Sequence, residues 1–281
     1  MAQDKAANTA GRPKSNPKEK NLDDPALYID RELSWLEFNR RVLEEAQDAL
    51  TPALEKLKFT SIFSSNLDEF FMIRVGGLFR ILEADVGDID TAFRNSVLKL
   101  GEIAEKVRLL VNEQYKCFRE EVLPQLKKAG IFIERIADLD KKEIKRLEEY
   151  FEKYVFPVLT PFAVDAGHPF PYLGNLRLNL MVIFNENSGM KRPHTYAFVE
   201  VPAVLERLVP LKTEGGGHRF VLLEELICRH VQRLFPGMSI KNVISFRVTR
   251  NHDYDLHENE VMDLLQSVEA ELKDRSNKIA V

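Results

Sequence analysis

The apolar positions in the first half of the chain recur at helical spacing. Over residues 33–128 they repeat every three or four positions, as expected for amphipathic helices. Ser34 followed by Glu37 predicts a capping box in front of the first helix. The apolar face of that helix is predicted to carry Trp35, Phe38, Val42 and Ala46.

More helices are predicted downstream in the same half. Thr51 and Pro52 predict the start of a second helix, and the polar break at 64–66 predicts its end and the start of a third. A longer helix is expected over 89–123, interrupted at or before Pro124. We therefore expect an antiparallel helical domain over 25–128.

The period of the pattern changes after Gly130. Short apolar or alternating runs predict strands at 131–133, 176–184, 196–201 and 244–249. Asp140 with Glu143 predicts a capped helix, and further helices are expected at 203–208, 223–234 and 258–274. The second domain, 129–281, is thus a mixed α/β domain whose strands we expect in one sheet. The predicted fold class is α+β.

Composition narrows the class of protein. The chain has 281 residues, 44% of them hydrophobic, so it can bury two cores. Residues 1–24 are polar and are predicted to form a disordered tail. With 40 Lys and Arg against 44 Asp and Glu, the net charge is −4. This balance argues against a nucleic-acid-binding protein and gives no hint of a polyanionic ligand.

The cysteines and the hydropathy of the chain indicate the cellular compartment in which the protein is found. The two cysteines, Cys117 and Cys228, are far apart in sequence and have no zinc-ligand spacing, which is typical of a reducing environment. No apolar run is long enough for a transmembrane segment, and the amino-terminal segment is unlike a signal peptide. We therefore expect a cytoplasmic protein.

Asn66 is the residue with two competing interpretations. It lies in the segment 64–76, where it or Ser65 would cap a helix while Asp68 and Glu69 complement the helix dipole. Alternatively, its amide offers a donor and an acceptor together, which match the N6 and N7 groups of adenine. The two interpretations compete, because an oxygen that caps a helix is less free to contact a base.

These residues also carry a family resemblance. Residues 28–43 read YIDRELSWLEFNRRVL and residues 65–71 read SNLDEFF, which resembles the start of the bacterial polyphosphate kinases that use a phosphohistidine. The second half resembles the middle, or head, domain of that family. Its matching runs are FPVLTP at 156–161, HPFPY at 168–172, NLRLNL at 175–180, LFPG at 234–237 and FRVTRN at 246–251.

The resemblance implies a four-domain enzyme that transfers the terminal phosphate of ATP to polyphosphate. It implies that the helical domain covers the adenine, with Asn66 as the ATP-binding residue, and that the head domain forms a homodimer or oligomer. It also implies Mg²⁺ for the full-length enzyme. A cytoplasmic location is expected, with peripheral attachment at the inner membrane as the alternative.

No catalytic or metal residue is predicted in this chain. His168 lies in a loop and matches the head domain, so a structural role is favoured, and His194 and His218 lie in polar loop stretches. The run 252–258 is interpreted as the cap of the last helix rather than a metal site. Arg247 and Arg250 are left with two roles, contact with a polyanion or surface pairing.

The chain is expected to end before the head domain is complete, and therefore to lack the phosphohistidine domains. Three alternatives remain: the front part of a polyphosphate kinase that is inactive alone, a non-catalytic dimerising or regulatory module, and a truncated gene product.

Overall fold

The structure, a computed structural model, describes residues 27–84, 91–164, 171–185, 196–213, 216–251 and 280–281. The predicted tail at 1–24, His168, His194, the run 252–258 and the predicted helix 258–274 lie outside the described residues. The fold is α+β, as predicted.

The first half is helical. Its α-helices are α1 Arg31–Gln47, α2 Ala53–Phe70, α3 Gly76–Ala84, α4 Thr91–Cys117 and α5 Leu123–Lys128. Two π-helical turns, Phe71–Val75 and Phe118–Val122, connect α2 to α3 and α4 to α5 without a break. The α-helical pattern is thus interrupted before Pro124, as predicted, but only by a π turn, and the helical path continues through Pro124 in the first turn of α5.

The predicted start of α1 was wrong. Asp30 is the N-cap, and its Oδ1 accepts a hydrogen bond from the backbone N–H of Leu33 at 2.8 Å. Ser34 lies inside the helix, where its hydroxyl donates to the carbonyl of Arg31 at 3.0 Å. Because the side chain of Asp30 already bonds a free N–H group of the first turn, the helix begins before Ser34, and the serine lies inside it.

The predicted apolar face of α1 was also shifted. Phe38 is 55% exposed, and the buried positions are Glu32, Leu36, Asn39, Leu43 and Ala46. The reason is that the buried stripe includes Asn39, a polar residue that a search for apolar spacing passes over.

The polar break at 64–66 does not end a helix. α2 continues through it because Phe63, Leu67 and Phe70 keep one buried stripe at spacings of four and three. The next buried residue is Val75, five positions on, so the π turn carries the stripe past an exposed Ile73. Serine and asparagine disfavour a helix interior by only about 0.5 kcal/mol each, far less than burial of these side chains contributes.

The second half contains two sheets, so the expectation of one sheet was wrong. The strands are β1 Ile131–Ile133, β2 Pro161–Val164, β3 Asn179–Phe184, β4 Tyr196–Glu200, β5 Leu208–Leu211, β6 His218–Leu222 and β7 Ile240–Phe246. One sheet has the order β1-β6-β5, with β1 parallel to β6, and the other is antiparallel in the order β2-β4-β3-β7.

The β1-β6-β5 sheet contains two strands, β5 and β6, that the sequence did not predict. The expected helix at 203–208 is absent, and β5 pairs instead with β6, which His218 begins. This hairpin then takes β1 as its parallel partner. The strand predicted from 176 begins only at Asn179, because Leu176 has φ +57°, which no strand residue adopts.

Helices pack on the sheets to complete the second core. The α6 helix, Lys141–Tyr150, has the predicted capping box of Asp140 and Glu143, and α7 spans Leu223–His230. The fully buried members of this core include Phe151, Val155, Leu180, Val182, Val199, Leu226 and Ile227.

His230 is the titratable group next to this core. Its ring stacks on that of Phe151, with centroids 4.4 Å apart, and its Nε2 is buried with no hydrogen-bond partner among the described residues. Burial lowers the pKa of His230, Glu148 opposes that effect and Arg229 adds to it. The folded chain therefore resists protonating this imidazole.

This arrangement predicts a pH-dependent stability. As the pH falls below the ordinary histidine value of 6.5, the unfolded chain takes up a proton that the folded chain refuses, so the free energy of unfolding decreases. His230→Phe keeps the ring stack and should make urea midpoints less sensitive to pH between about 7.5 and 5. His218→Phe, which removes a histidine from an exposed strand end outside the core, is the control. Equal slopes in wild type and His230→Phe would contradict the prediction.

Candidate functional site

Asn66 lies inside a continuous helical path rather than at a helix end. The helical segments α2 and α3 and the π turn between them run from 53 to 84, and Asn66 lies in the final turns of α2. Since it caps nothing, the N-cap interpretation was wrong. The competition between capping and base contact is thereby removed.

A buried amide holds the side chain of Asn66. Its Nδ2 donates to Oδ1 of Asn39 at 2.9 Å, and Nδ2 of Asn39 donates to the carbonyl of Phe63 at 3.1 Å. Asn39 is fully buried, whereas Asn66 is half-buried. The two bonds connect α1 to α2 and fix the direction of the Asn66 amide.

One donor and one acceptor of Asn66 stay available. Its Oδ1 makes no hydrogen bond with any described residue, and its Nδ2 keeps a second hydrogen. The orientation of this amide is fixed, and it offers an oxygen that accepts and an N–H that donates. It can therefore bind a ligand that presents a hydrogen-bond donor beside an acceptor. The edge of a purine base is such a partner.

Aromatic rings lie one turn along the same interface. Trp35, four residues before Asn39, stacks on Phe70, four residues after Asn66, with centroids 4.8 Å and planes 19° apart. Phe38 packs against Trp35 at 6.3 Å and is 55% exposed. An aromatic cluster with one exposed ring therefore lies about one helical turn from the amide pair, and a flat base could stack on it.

The opposite side of α2 faces the second half of the chain. A cleft of about 760 Å³ lies there, lined among others by Thr60, Ser64, Asp68, Arg207, Phe246 and Arg247. Successive residues turn by about 100° around a helix, so this face lies about 200° from Asn66. The cleft and the free amide are separate features.

Two arginines, Arg247 and Arg250, had two predicted roles each, and both make contacts within the chain. Arg247 forms an ion pair with Asp68 at 2.6 Å. Burial raises the pKa of Asp68, although the guanidinium opposes that shift. Arg250 lies 4.6 Å over the ring of Tyr172, and its Nε donates to the carbonyl of Leu173 at 3.0 Å. Surface pairing therefore describes Arg247 better than contact with a polyanion.

The described cysteines and histidines do not form a reactive cluster. Burial raises the pKa of the Cys228 thiol to about 11, and burial also raises that of Cys117. Within the described ranges, no group of three or more His, Cys, Asp or Glu side chains could hold a metal ion. Among the helices that the structure describes, none has the length and hydropathy that a membrane-spanning segment needs.

Sequence reasoning missed Asn39, the residue that orients Asn66. The signal was present, since Asn39 occupies the stripe of Leu36, Leu43 and Ala46 at spacings of three and four. A lone amide on an apolar stripe is a candidate for a buried hydrogen bond.

Comparison with known proteins places the chain in a family. The model described as "Polyphosphate kinase N-terminal domain" matches residues 28–134, and "Polyphosphate kinase middle domain" matches residues 142–281. The chain belongs to the polyphosphate kinase family.

Relatives named polyphosphate kinase match along nearly the whole chain. The protein of Bacillus cereus is 46% identical over 264 residues, covering 93% of this chain, and that of Thermosynechococcus vestitus is 42% identical over 265 residues, covering 92%. The crystal structure of polyphosphate kinase from Porphyromonas gingivalis matches with a TM-score of 0.67 and 28% identity over 88% of this chain. The chain spans 38% of the Bacillus cereus relative, 36% of the Thermosynechococcus vestitus relative and 38% of the Porphyromonas gingivalis chain. It thus contains the N-terminal and middle domains of the polyphosphate kinase family.

The amide pair predicts unequal costs for removing its two members. Asn39→Ala deletes one buried and one half-buried hydrogen bond and should lower the free energy of unfolding by about 2–3 kcal/mol. Asn66→Ala deletes one and should cost about 1 kcal/mol. Asn112→Ala, at an exposed helical position in α4, is the matched control and should stay within about 0.5 kcal/mol of wild type. Urea unfolding followed by circular dichroism measures all three, and equal losses for Asn39 and Asn66 would be the contrary result.

Proposed function

We propose that this chain supplies the adenine-binding part and the dimerisation region of an enzyme that transfers the terminal phosphate of ATP to polyphosphate. The observation that carries the proposal is the amide of Asn66, whose oxygen has no partner among the described residues and whose nitrogen is held by Asn39. Its place in the SNLDEFF run, at the position the family uses for the base, agrees with that geometry.

The proposed contact uses both functions of the amide. Oδ1 of Asn66 accepts a hydrogen bond from the N6 amino group of adenine, while its remaining Nδ2 hydrogen is donated to a ring nitrogen. Guanine presents a carbonyl where adenine has the amino group, so its oxygen would face Oδ1 without a proton between them. The contact therefore favours ATP over GTP.

The aromatic surface beside the amide gives the base a place to stack. The indole of Trp35 is half-buried and held by Phe70, so it offers a rigid edge, and Phe38 adds exposed ring area. Stacking is indifferent to the identity of the base, since every base has a flat apolar face. Affinity would come from the rings and selectivity from Asn66.

Phosphate transfer itself is assigned to other parts of the family enzyme. Phosphoryl transfer needs cations around the phosphates, and Mg²⁺ is expected there. Within the described ranges no cluster of metal-binding side chains exists, so no step of this proposal uses Mg²⁺. Arg207 and Arg247, the cations at the cleft, are paired with Glu224 and Asp68.

Dimerisation and a cytoplasmic location belong to the same proposal. The head domain is proposed to bind a second copy of the enzyme, as the resemblance implies. The two free cysteines, Cys117 and Cys228, support a reducing compartment.

Nucleotide titration tests the role of Asn66. Adding ATP to the 281-residue chain should shift the ¹⁵N side-chain amide signals of Asn66, and GTP should bind about tenfold more weakly, because one bidentate base contact typically discriminates by that much. Asn66→Ala should remove the preference for ATP, whereas Asn112→Ala should keep it. Equal affinities for ATP and GTP in the wild type, or an unchanged preference in Asn66→Ala, would overturn the assignment.

The same chain should not act as a kinase alone. Incubated with γ-labelled ATP and Mg²⁺, the 281-residue chain is expected to form neither polyphosphate nor an acid-labile phosphohistidine, because it spans only 38% of a relative such as that of Bacillus cereus. A full-length relative assayed in parallel is the positive control. Acid-labile label on this chain would contradict the inference.

A further inference from the structure

The helical path that carries Asn66 has a second face at regular spacing. Asp68, Met72 and Gly76 follow one another at intervals of four residues, and the π turn Phe71–Val75 lies within this stretch. All three residues are contacted by the second half of the chain. We call them the docking face.

Each residue of the docking face has its own contact. Asp68 pairs with Arg247 at 2.6 Å, and Nδ2 of Asn175 lies 3.2 Å from the sulfur of Met72. Nδ2 of Asn251 donates to the carbonyl of Gly76 at 3.4 Å, a long bond at a buried position.

The side chain of Asn251 comes so close to position 76 that it occupies the place of a Cβ, which glycine lacks. A Cβ built at Gly76 would lie 2.4 Å from Oδ1 and 2.6 Å from Cγ of Asn251, distances at which a side chain has to move. The backbone of Gly76 is helical, a conformation that any residue adopts. Glycine is therefore needed here for the space beside Asn251 and not for its backbone dihedral angles.

The contacting loops are also bonded to each other. Asn175 forms a bridge with Val248, the N–H of Leu176 donates to the carbonyl of Val248 at 2.8 Å, and the N–H of Arg250 donates to Oδ1 of Asn175 at 2.7 Å. The loops around 175 and 247–251 therefore meet the helix as one unit. Three contacts along one side, each about 6 Å from the next, resist both rotation and sliding of the helix.

We propose that Asn251, acting through Gly76, is a positioning residue for the base contact of Asn66. The docking face and Asn66 lie on opposite sides of one helical path, so a rotation that releases the first redirects the second. This inference rests on the proposed function. It adds that adenine recognition by the helical half depends on the second half of the chain, although Asn251 touches no nucleotide.

The test compares two glycines in helices. Gly76→Ala forces the Asn251 side chain out, whereas Gly101→Ala, in α4, meets no atom within 4 Å of the added Cβ and is the matched control. Asn251→Ala removes the contact from the other side. In the 281-residue chain without nucleotide, Gly76→Ala and Asn251→Ala should shift the Asn66 side-chain amide signals, and Gly101→Ala should not.

Nucleotide titrations of the same variants give the functional readout. The preference for ATP over GTP should fall about fivefold in Gly76→Ala and in Asn251→Ala, a size usual for coupled residues. In an Asn66→Ala background, Asn251→Ala should have no further effect on that preference. A purely structural role would change the melting temperature and leave the ratio of the two affinities unchanged.

The outcomes separate this inference from the one on which it rests. If Asn66→Ala abolishes the ATP preference while Gly76→Ala and Asn251→Ala retain it, the positioning role is overturned and the proposed function stands. If the wild-type chain shows no preference, both are overturned. Unmoved Asn66 signals in Gly76→Ala would also overturn the positioning role, whatever the affinities.

Discussion

The helical path from 53 to 84 organises the rest of the structure, because it stays unbroken where its sequence turns polar. A π turn between Phe70 and Gly76 moves the buried stripe instead of ending the helix. As a result, one element presents three different sides. One side builds the first core, one carries Asn66 and one meets the second half. A break at 64–66 would have separated these roles into independent elements.

The fold was predictable where local signals were sufficient. The capping box of Asp140 and Glu143 depends on neighbouring residues and is present. The strand predicted at 131–133 is present too, although it pairs with β6, which lies far along the chain. The predicted helix at 203–208 is absent. Its last residue, Leu208, begins β5, which exists through pairing with β6, a partner that the pattern at 203–208 does not contain. The same limit explains why one sheet was expected where two occur.

For the site, the residue type at position 66 led to the prediction of a base contact, which stays a prediction, and the structure supplied what holds the amide in place. Asn39 is 27 positions away along the chain, and no local pattern connects two asparagines at that distance. The same holds for Arg247 and Asp68, which are 179 positions apart. Contacts between distant segments decide which polar groups are occupied, and therefore which ones are left for a ligand.

The contact between Gly76 and Asn251 has a consequence for building chimeras within the family. The two residues come from different domains, and a Cβ at position 76 would lie 2.4 Å from Oδ1 of Asn251. An exchange of N-terminal domains between two relatives would place position 76 of one parent against position 251 of the other. A hybrid that inherits these two positions from one parent keeps the fit between them.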